Sequence, residues 1–103
     1  MTTTAELVIE QPGLAVLRGR LDFATVPQVW LEVQAWLVRG TTATLSLCEV
    51  TTSNSAALAL LLEAISSAQE HAVTLSIQDI PTDLLDLARL SNLDELLLAL
   101  KKS

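Results

Sequence analysis

The chain has 103 residues, a length that suits one small domain. Its formal net charge is -6, with twelve acidic residues against six basic ones. This balance argues against nucleic acid as a partner, because sequence-independent binding to phosphate backbones needs clustered lysine and arginine. Half of the residues are apolar but few are aromatic, so we expect leucine, valine and alanine to fill the core of one domain spanning residues 1–103.

The number of cysteines and the hydropathy of the sequence predict the cellular compartment of the protein. Cys48 is the only cysteine, so no internal disulfide is possible, and a reducing cytosolic setting fits best. Because Cys48 lies in an apolar segment, we expect it to be buried as a small hydrophobic residue. The amino terminus lacks the features of a signal peptide, and no stretch approaches the roughly twenty apolar residues of a membrane span. We therefore expect a cytoplasmic protein with no direct membrane insertion.

The first two elements are predicted to be a β-hairpin. Residues 5–10 alternate between apolar and polar side chains, residues 11–13 carry a Pro-Gly turn signal, and residues 14–21 resume the strand pattern. Gly19 interrupts the second strand, which indicates a bulge or a close backbone approach.

A helix is predicted to follow from about Val26. Thr25 is the expected N-cap, Pro27 suits the first turn, and Gly40 is the expected end. Trp36 lies off the main apolar stripe, so we expect it at a partly covered edge. The predicted buried face consists of Val26, Val29, Trp30, Val33 and Leu37.

The central stretch, residues 45–65, is predicted to be a strand, a polar turn and an apolar helix. The strand covers residues 44–50, the turn is Thr51-Thr52-Ser53-Asn54-Ser55, and the helix begins at about Ser55 and closes at His71. Its first two turns are apolar nearly all round, so more than one neighbour must bury them. The core stripe is Leu58, Leu61, Leu62, Ile65 and Ala68, widened by Ala57, Ala59, Leu60 and Ala64; the open side carries Glu63, Ser66, Ser67, Gln69 and Glu70.

The remaining chain predicts one more strand and two helices. The strand covers residues 73–77, and Thr82 or Asp83 caps a helix that runs to about Leu90. A last short helix, residues 94–100, contains the apolar run Leu96–Leu100, which we expect to dock on the core. The order β-β-α-β-α-β-α-α predicts an α/β fold, a small mixed sheet with parallel pairs after the hairpin.

The sequence lacks the arrangements that carry common catalytic chemistry. Three glycines make no phosphate loop, and His71 at a helix end provides neither a convincing base nor a metal site. We therefore expect no enzyme activity, no cofactor and no metal. In the polar turn, one of Ser53, Asn54 and Ser55 must cap the helix, and the same turn is a candidate contact surface or phosphate acceptor.

Two segments resemble the STAS domain family, whose fold is a small mixed sheet with helices packed against it and which includes the bacterial anti-sigma factor antagonists. Residues 17–22, Leu-Arg-Gly-Arg-Leu-Asp, are similar to the family's L-x-G-x-L-D. Residues 45–62 resemble the strand, loop and helix that carry D-[ST]-x-G-L. The order of elements agrees over essentially the whole chain.

The departures from that pattern favour one branch. Asn54 stands where the family has Asp and Ala57 where it has Gly, and Ala56 takes the place of the serine that the antagonists phosphorylate. In the MlaB-like branch, which serves lipid-transport (outer-membrane lipid asymmetry) ABC systems, the motif reads D-T-G-G-L-A-L-L-L. Ser55 falls on that branch's Thr, residues 58–62 match its L-A-L-L-L, and residues 87–93 look like its third helix.

The resemblance implies a non-enzymatic subunit that binds the cytoplasmic ATPase of a phospholipid transporter, with its permease in the same complex. The implied contact residues are Ser53, Asn54, Ser55, Ala56 and Ala59, with Ser55 also capping the helix. The alternative is an anti-sigma factor antagonist phosphorylated at Ser55 or Ser53, with an anti-sigma factor kinase as its partner. A third possibility is a scaffold that associates with itself through Leu96–Leu100.

Overall fold

The computed structural model describes residues 5–38, 42–93, 95 and 97. Seven elements follow the predicted order: β1 (Ala5–Gln11), β2 (Leu14–Leu21), α1 (Val26–Leu37), β3 (Thr42–Ser53), α2 (Ser55–Glu70), β4 (Thr74–Gln78) and α3 (Thr82–Leu90). The predicted α/β fold class is confirmed. The predicted helix end at Gly40 and most of the predicted last helix lie outside the described residues.

The strands form one four-stranded sheet in the order β1-β2-β3-β4. β1 and β2 pair in antiparallel fashion, which confirms the predicted hairpin. β2 pairs with β3 in parallel, and β3 pairs with β4 in the same way, as the alternation of strands and helices predicts. The hairpin turn needs Gly13, whose φ is +82°, because a Cβ there would lie 3.1 Å from the carbonyl oxygen of Thr42.

The ladder between β2 and β3 is irregular at two points. Its register shifts between Val16 and Arg18 and again between Gly19 and Arg20. Gly19 has a φ of +100°, a conformation that residues with a Cβ rarely adopt. Of the two predictions for Gly19, a bulge or a close backbone approach, the register shift beside it supports the bulge, in which Thr51 of β3 is the extra residue.

The core lies between one face of the sheet and the three helices. Alternate residues of β2, β3 and β4 enter this core, while Arg18 and Arg20 point away from it and are exposed. Cys48 is exposed as well, so the prediction that it is buried is wrong. Cys48 lies where the register between β2 and β3 shifts, between the pairs Val16–Ser46 and Arg18–Glu49, so the regular alternation of the strand does not continue through it. Fully buried core residues include Leu17, Leu21, Val29, Val33, Leu45, Leu61, Ile77 and Leu84.

The helices differ from the prediction in the burial of two residues and in their capping. Trp36 is buried, at 7% exposure, because α1 packs against both β1 and α2 and so buries a wider arc than its apolar stripe. Ser67 is buried at 5%, although it was predicted on the open side of α2. Thr25 occupies the N-cap position of α1 but its side chain makes no capping bond, and the N-cap of α3 is Pro81 rather than Thr82 or Asp83.

Within the described part of the chain, no helix combines the length and the apolar character that crossing a bilayer requires.

Candidate functional site

The candidate site lies at one edge of the sheet. Because β2, β3 and β4 are parallel, their carboxyl ends meet at the same edge. The β2–α1 connection at residues 22–25, the β3–α2 junction at Asn54 and the β4–α3 connection at residues 79–81 therefore lie side by side there.

The polar segment before α2 is mostly strand, not turn. β3 continues through Ser53, with Thr52 paired to Arg20 and Ser53 paired to Leu21. The prediction of a turn over residues 51–55 is therefore wrong, because the eight-residue strand β2 provides hydrogen-bonding partners as far as Leu21. The β-branched Thr51 and Thr52 also suit a strand. Only Asn54 separates β3 from α2.

Asn54 caps α2. Its backbone is extended, with φ -146° and ψ -162°, and its Oδ1 accepts a 2.8 Å hydrogen bond from the N–H of Ala56. This bond satisfies one of the free N–H groups at the helix start. The prediction that one of Ser53, Asn54 and Ser55 is the cap is confirmed. Ser55 as that cap is wrong, because it is the first residue of α2.

The five residues assigned to a partner contact differ in their exposure. Ser55 and Ala59 are both exposed and lie four residues apart, so they are neighbours on the same side of α2. Ser53 and Asn54 are half-buried. Ala56 is only 5% exposed, so it packs beneath the surface and offers a partner almost no area. The surface of α2 that remains accessible at this edge is therefore built on Ser55 and Ala59.

A cleft of about 130 Å³ lies beside this surface. It separates the end of β3 from the start of α3. Asp83, in the first turn of α3, is the acidic residue of the lining. The cleft is lined by Val50, Thr51, Thr52, Ser53, Pro81 and Asp83.

Asp22 fixes the connection between β2 and α1. Its Oδ1 accepts hydrogen bonds from the backbone N–H groups of Ala24 at 2.9 Å and Thr25 at 3.1 Å. Its Oδ2 accepts from Arg20, whose Nη2 is 3.2 Å away. Instead of capping α1, the Thr25 hydroxyl donates to the carbonyl oxygen of Arg20 at 2.6 Å. The Asp that ends the L-x-G-x-L-D pattern thus holds this turn in shape.

These contacts change the acidity of Asp22. Partial burial alone raises the pKa of a carboxyl group. Here the two backbone hydrogen bonds from Ala24 and Thr25 and the charge of Arg20 outweigh burial, so the pKa of Asp22 lies below its ordinary value. The carboxylate therefore stays ionised and keeps its bonds at neutral pH.

Sequence reasoning missed one exposed side chain at this edge. Phe23 is 71% exposed and follows Asp22 directly in the β2–α1 connection. A large aromatic side chain in water is a common anchor at protein interfaces. The signal was present in the sequence, because the chain's only Phe stands in a predicted connection rather than in an apolar stripe.

The histidine lies far along α2 from the serines. His71 is the C-cap of the helix, sixteen residues after Ser55, and its Nδ1 is 2.9 Å from the carbonyl oxygen of Ser67. The fold therefore does not bring His71 to the Ser55 edge. Among the described residues, no group of His, Cys, Asp and Glu is arranged to hold a metal ion.

The fold and this edge define a small mixed α/β domain with an exposed small-residue surface at the start of its central helix. A family model described as "Mlab, STAS domain" matches residues 10–99. The chain therefore belongs to the STAS domain family, and the resemblance noted from residues 17–22 and 45–62 is confirmed.

A solved structure agrees with this assignment. The anti-sigma factor antagonist SpoIIAA, in its unphosphorylated form, matches with a TM-score of 0.64 over 88% of this chain and 83% of that chain. The sequences are 17% identical, so this likeness supports the fold alone. No curated protein matches the chain.

Proposed function

We propose that this chain is a non-enzymatic STAS subunit that binds the ATPase of a phospholipid-transporting ABC complex and supports its assembly and activity. In this proposal the protein is cytoplasmic and peripheral to the inner membrane through its complex. The observation that carries the proposal is the match of residues 10–99 to the family description "Mlab, STAS domain".

The geometry of the Ser55 edge supports a docking role. The exposed side chains of Ser55 and Ala59 are small, so another backbone can approach α2 closely there. The Asn54 cap holds the start of the helix in place, and the half-buried Ser53 lines the adjoining cleft. In the proposed complex Ser55 and Ala59 make direct contacts, Ser53 and Asn54 shape the surface, and Ala56 supports it from below.

Large side chains at this edge test the proposal. Ser55→Arg and Ala59→Arg should each reduce capture of the ATPase by the tagged protein at least about tenfold, because truncating or obstructing a central interface position changes binding by about 1–2 kcal/mol or more. Ser66→Arg is the matched control, since Ser66 is exposed further along the same helix. Equal capture by Ser55→Arg, Ala59→Arg and Ser66→Arg would show that the contact lies elsewhere.

A second candidate function is an anti-sigma factor antagonist regulated by serine phosphorylation through an anti-sigma factor kinase. The fold shared with SpoIIAA favours it. Ser55 is exposed at the first position of α2, where a phosphate is electrostatically favourable, whereas Ser53 is half-buried within the sheet. Intact-mass measurement after incubation with the cognate kinase tests it: one added phosphate, lost in Ser55→Ala, supports this function, and an unchanged mass rejects it.

A further inference from the structure

A groove lies on the far side of the molecule from Ser55, between the sheet edge and α1. It has a volume of about 210 Å³ and is lined by Ile9 of β1 and by Glu32, Ala35 and Trp36 of α1. Ile9 pairs with Ala15 near the start of β2, so this groove lies at the opposite end of the sheet from the Ser55 edge. Its side chains are therefore independent of the proposed ATPase contact.

The groove exposes apolar surface beside an edge strand. Ile9 is 57% exposed, and Trp36 closes the groove from the helix side. β1 is the first strand of the sheet, so its outer backbone groups have no neighbouring strand among the described residues. The N–H of Leu7 points outward, at 3.4 Å from Glu32 Oε1, and the two-residue period of a strand directs the N–H and C=O of Ile9 to the same side.

The groove has one charged residue in its described lining, the acid Glu32. The three arginines within the described residues already form ion pairs with other acids: Arg18 with Glu49, Arg20 with Asp22, and Arg89 with Asp86. Within this part of the chain, Glu32 accepts a bond only from the Leu7 N–H, so its carboxylate retains capacity for a cation.

We propose that this groove docks an extended segment of a partner protein that carries an aliphatic side chain next to lysine or arginine. The aliphatic side chain enters between Ile9 and Trp36, and the base pairs with Glu32. The backbone of the segment pairs with Ile9 at the β1 edge, in the manner of a peptide that adds to a sheet. Glu32 keeps its bond to Leu7, which confines the pairing to the Ile9 end of the strand.

A second copy of this chain is a poorer occupant than a basic segment. Antiparallel pairing of two β1 strands about Val8 would place Glu6 of one copy opposite Glu10 of the other. Like charges directly opposite each other destabilise a strand pair. Glu32, the acid that lines the groove, is instead complementary to a basic partner.

Peptide titration of the isotope-labelled chain tests the proposal. The probe is an acetylated, amidated heptapeptide of alternating valine and lysine, and the matched control carries glutamate in place of lysine. We expect saturable NMR shifts at the amides of Ile9 and Ala35 and at the Trp36 indole N–H, with none comparable at Ser55. We also expect the lysine peptide to bind at least about fivefold more tightly, an advantage that falls as salt rises from about 0.05 M to about 0.5 M.

Substitution of Glu32 tests whether its carboxylate binds the lysine of the peptide. Glu32→Gln should weaken binding of the lysine peptide about two- to fivefold, as expected for one exposed ion pair, whereas Glu63→Gln on α2 should leave it unchanged. Equal affinity for both peptides, shifts centred away from Ile9 and Trp36, or equal binding by both variants would each overturn the proposal. Concentration-dependent shifts at Ile9 without peptide would do so as well, because they would identify a second copy as the occupant.

Discussion

Asn54 Oδ1 accepts a 2.8 Å hydrogen bond from the backbone N–H of Ala56, two residues further along the chain. This one bond anchors the start of α2 and so determines where the exposed Ser55 and Ala59 stand. The family pattern has Asp at this position, and an amide oxygen performs the same capping role as a carboxylate oxygen. The replacement of Asp by Asn therefore preserves the geometry of the junction and removes one negative charge from it.

The cap predicts a specific loss of stability. Asn54→Ala should lower the free energy of unfolding by about 1 kcal/mol, because the N–H of Ala56 loses its acceptor. Asn54→Asp should be at least as stable as the parent, since an acid at a helix start also favours the helix dipole. Urea unfolding measures both. Ser55→Ala is the matched control and should change little; a larger loss for Ser55→Ala than for Asn54→Ala would contradict the assignment of the cap.

Replacement of the buried Ser67 by alanine should increase the stability of the fold. Its Oγ is buried and has no hydrogen-bonding partner. Ser67→Ala removes an unsatisfied hydroxyl and should raise the free energy of unfolding by about 1 kcal/mol. Ser66→Ala, at the adjacent exposed position, reports the part of any gain that comes from the helix propensity of alanine alone. If both variants gain equally in thermal or urea unfolding, burial of the Ser67 hydroxyl has no cost.

The lowered pKa of Asp22 makes the stability of the fold depend on pH. Because its pKa is lower in the folded chain, its ionised form stabilises the fold above the unfolded-state pKa of about 3.9, and this contribution disappears as the pH falls through the lower folded value. Asp22→Ala should therefore be less stable than the parent at about pH 7, and this difference in the free energy of unfolding should begin to narrow once the pH falls below about 4. Urea unfolding across this range measures the difference. A difference of constant size would show that the carboxylate charge plays no part.

Because Phe23 is exposed, its replacement by alanine should weaken partner binding without lowering stability. Its side chain is 71% exposed and lies at the same sheet edge as Ser55. Phe23→Ala should leave the free energy of unfolding within about 0.5 kcal/mol of the parent while weakening capture of the ATPase about tenfold or more. Leu31→Ala, another exposed apolar residue at 63%, is the control. Equal capture by the two variants would place Phe23 outside the interface.

Much of the fold follows from local patterns. The bounds of β2 and the start of α1 agree with the prediction because a Pro-Gly turn and a Thr-Val-Pro segment mark them. The burial of Leu61 and Val33 follows from helical periodicity, and the glycine at position 19 marks a bulge. In each case the determining interactions lie within a few residues of one another.

The predictions that the structure contradicts all depend on contacts between elements that are far apart in the sequence. β3 continues through Ser53 because β2 provides partners that lie more than thirty residues earlier in the chain. Cys48 is exposed at a register shift between β2 and β3, which the apolar run around it does not reveal. Trp36 is buried because α1 contacts both β1 and α2. At the candidate site, the exposure of Ser55 and the burial of Ala56 likewise depend on how α2 meets its neighbours.

Membership of this STAS domain in a phospholipid-transporting ABC complex is the central proposal. Affinity purification of the tagged protein from its native cell, followed by mass spectrometry, tests it most directly, with Ser55→Arg as the interface variant and Ser66→Arg as its control. We predict that an ABC ATPase and its permease co-purify with the parent and with Ser66→Arg, and are lost from Ser55→Arg. Recovery of a serine kinase or an anti-sigma factor in their place would contradict the proposal and favour the anti-sigma factor antagonist.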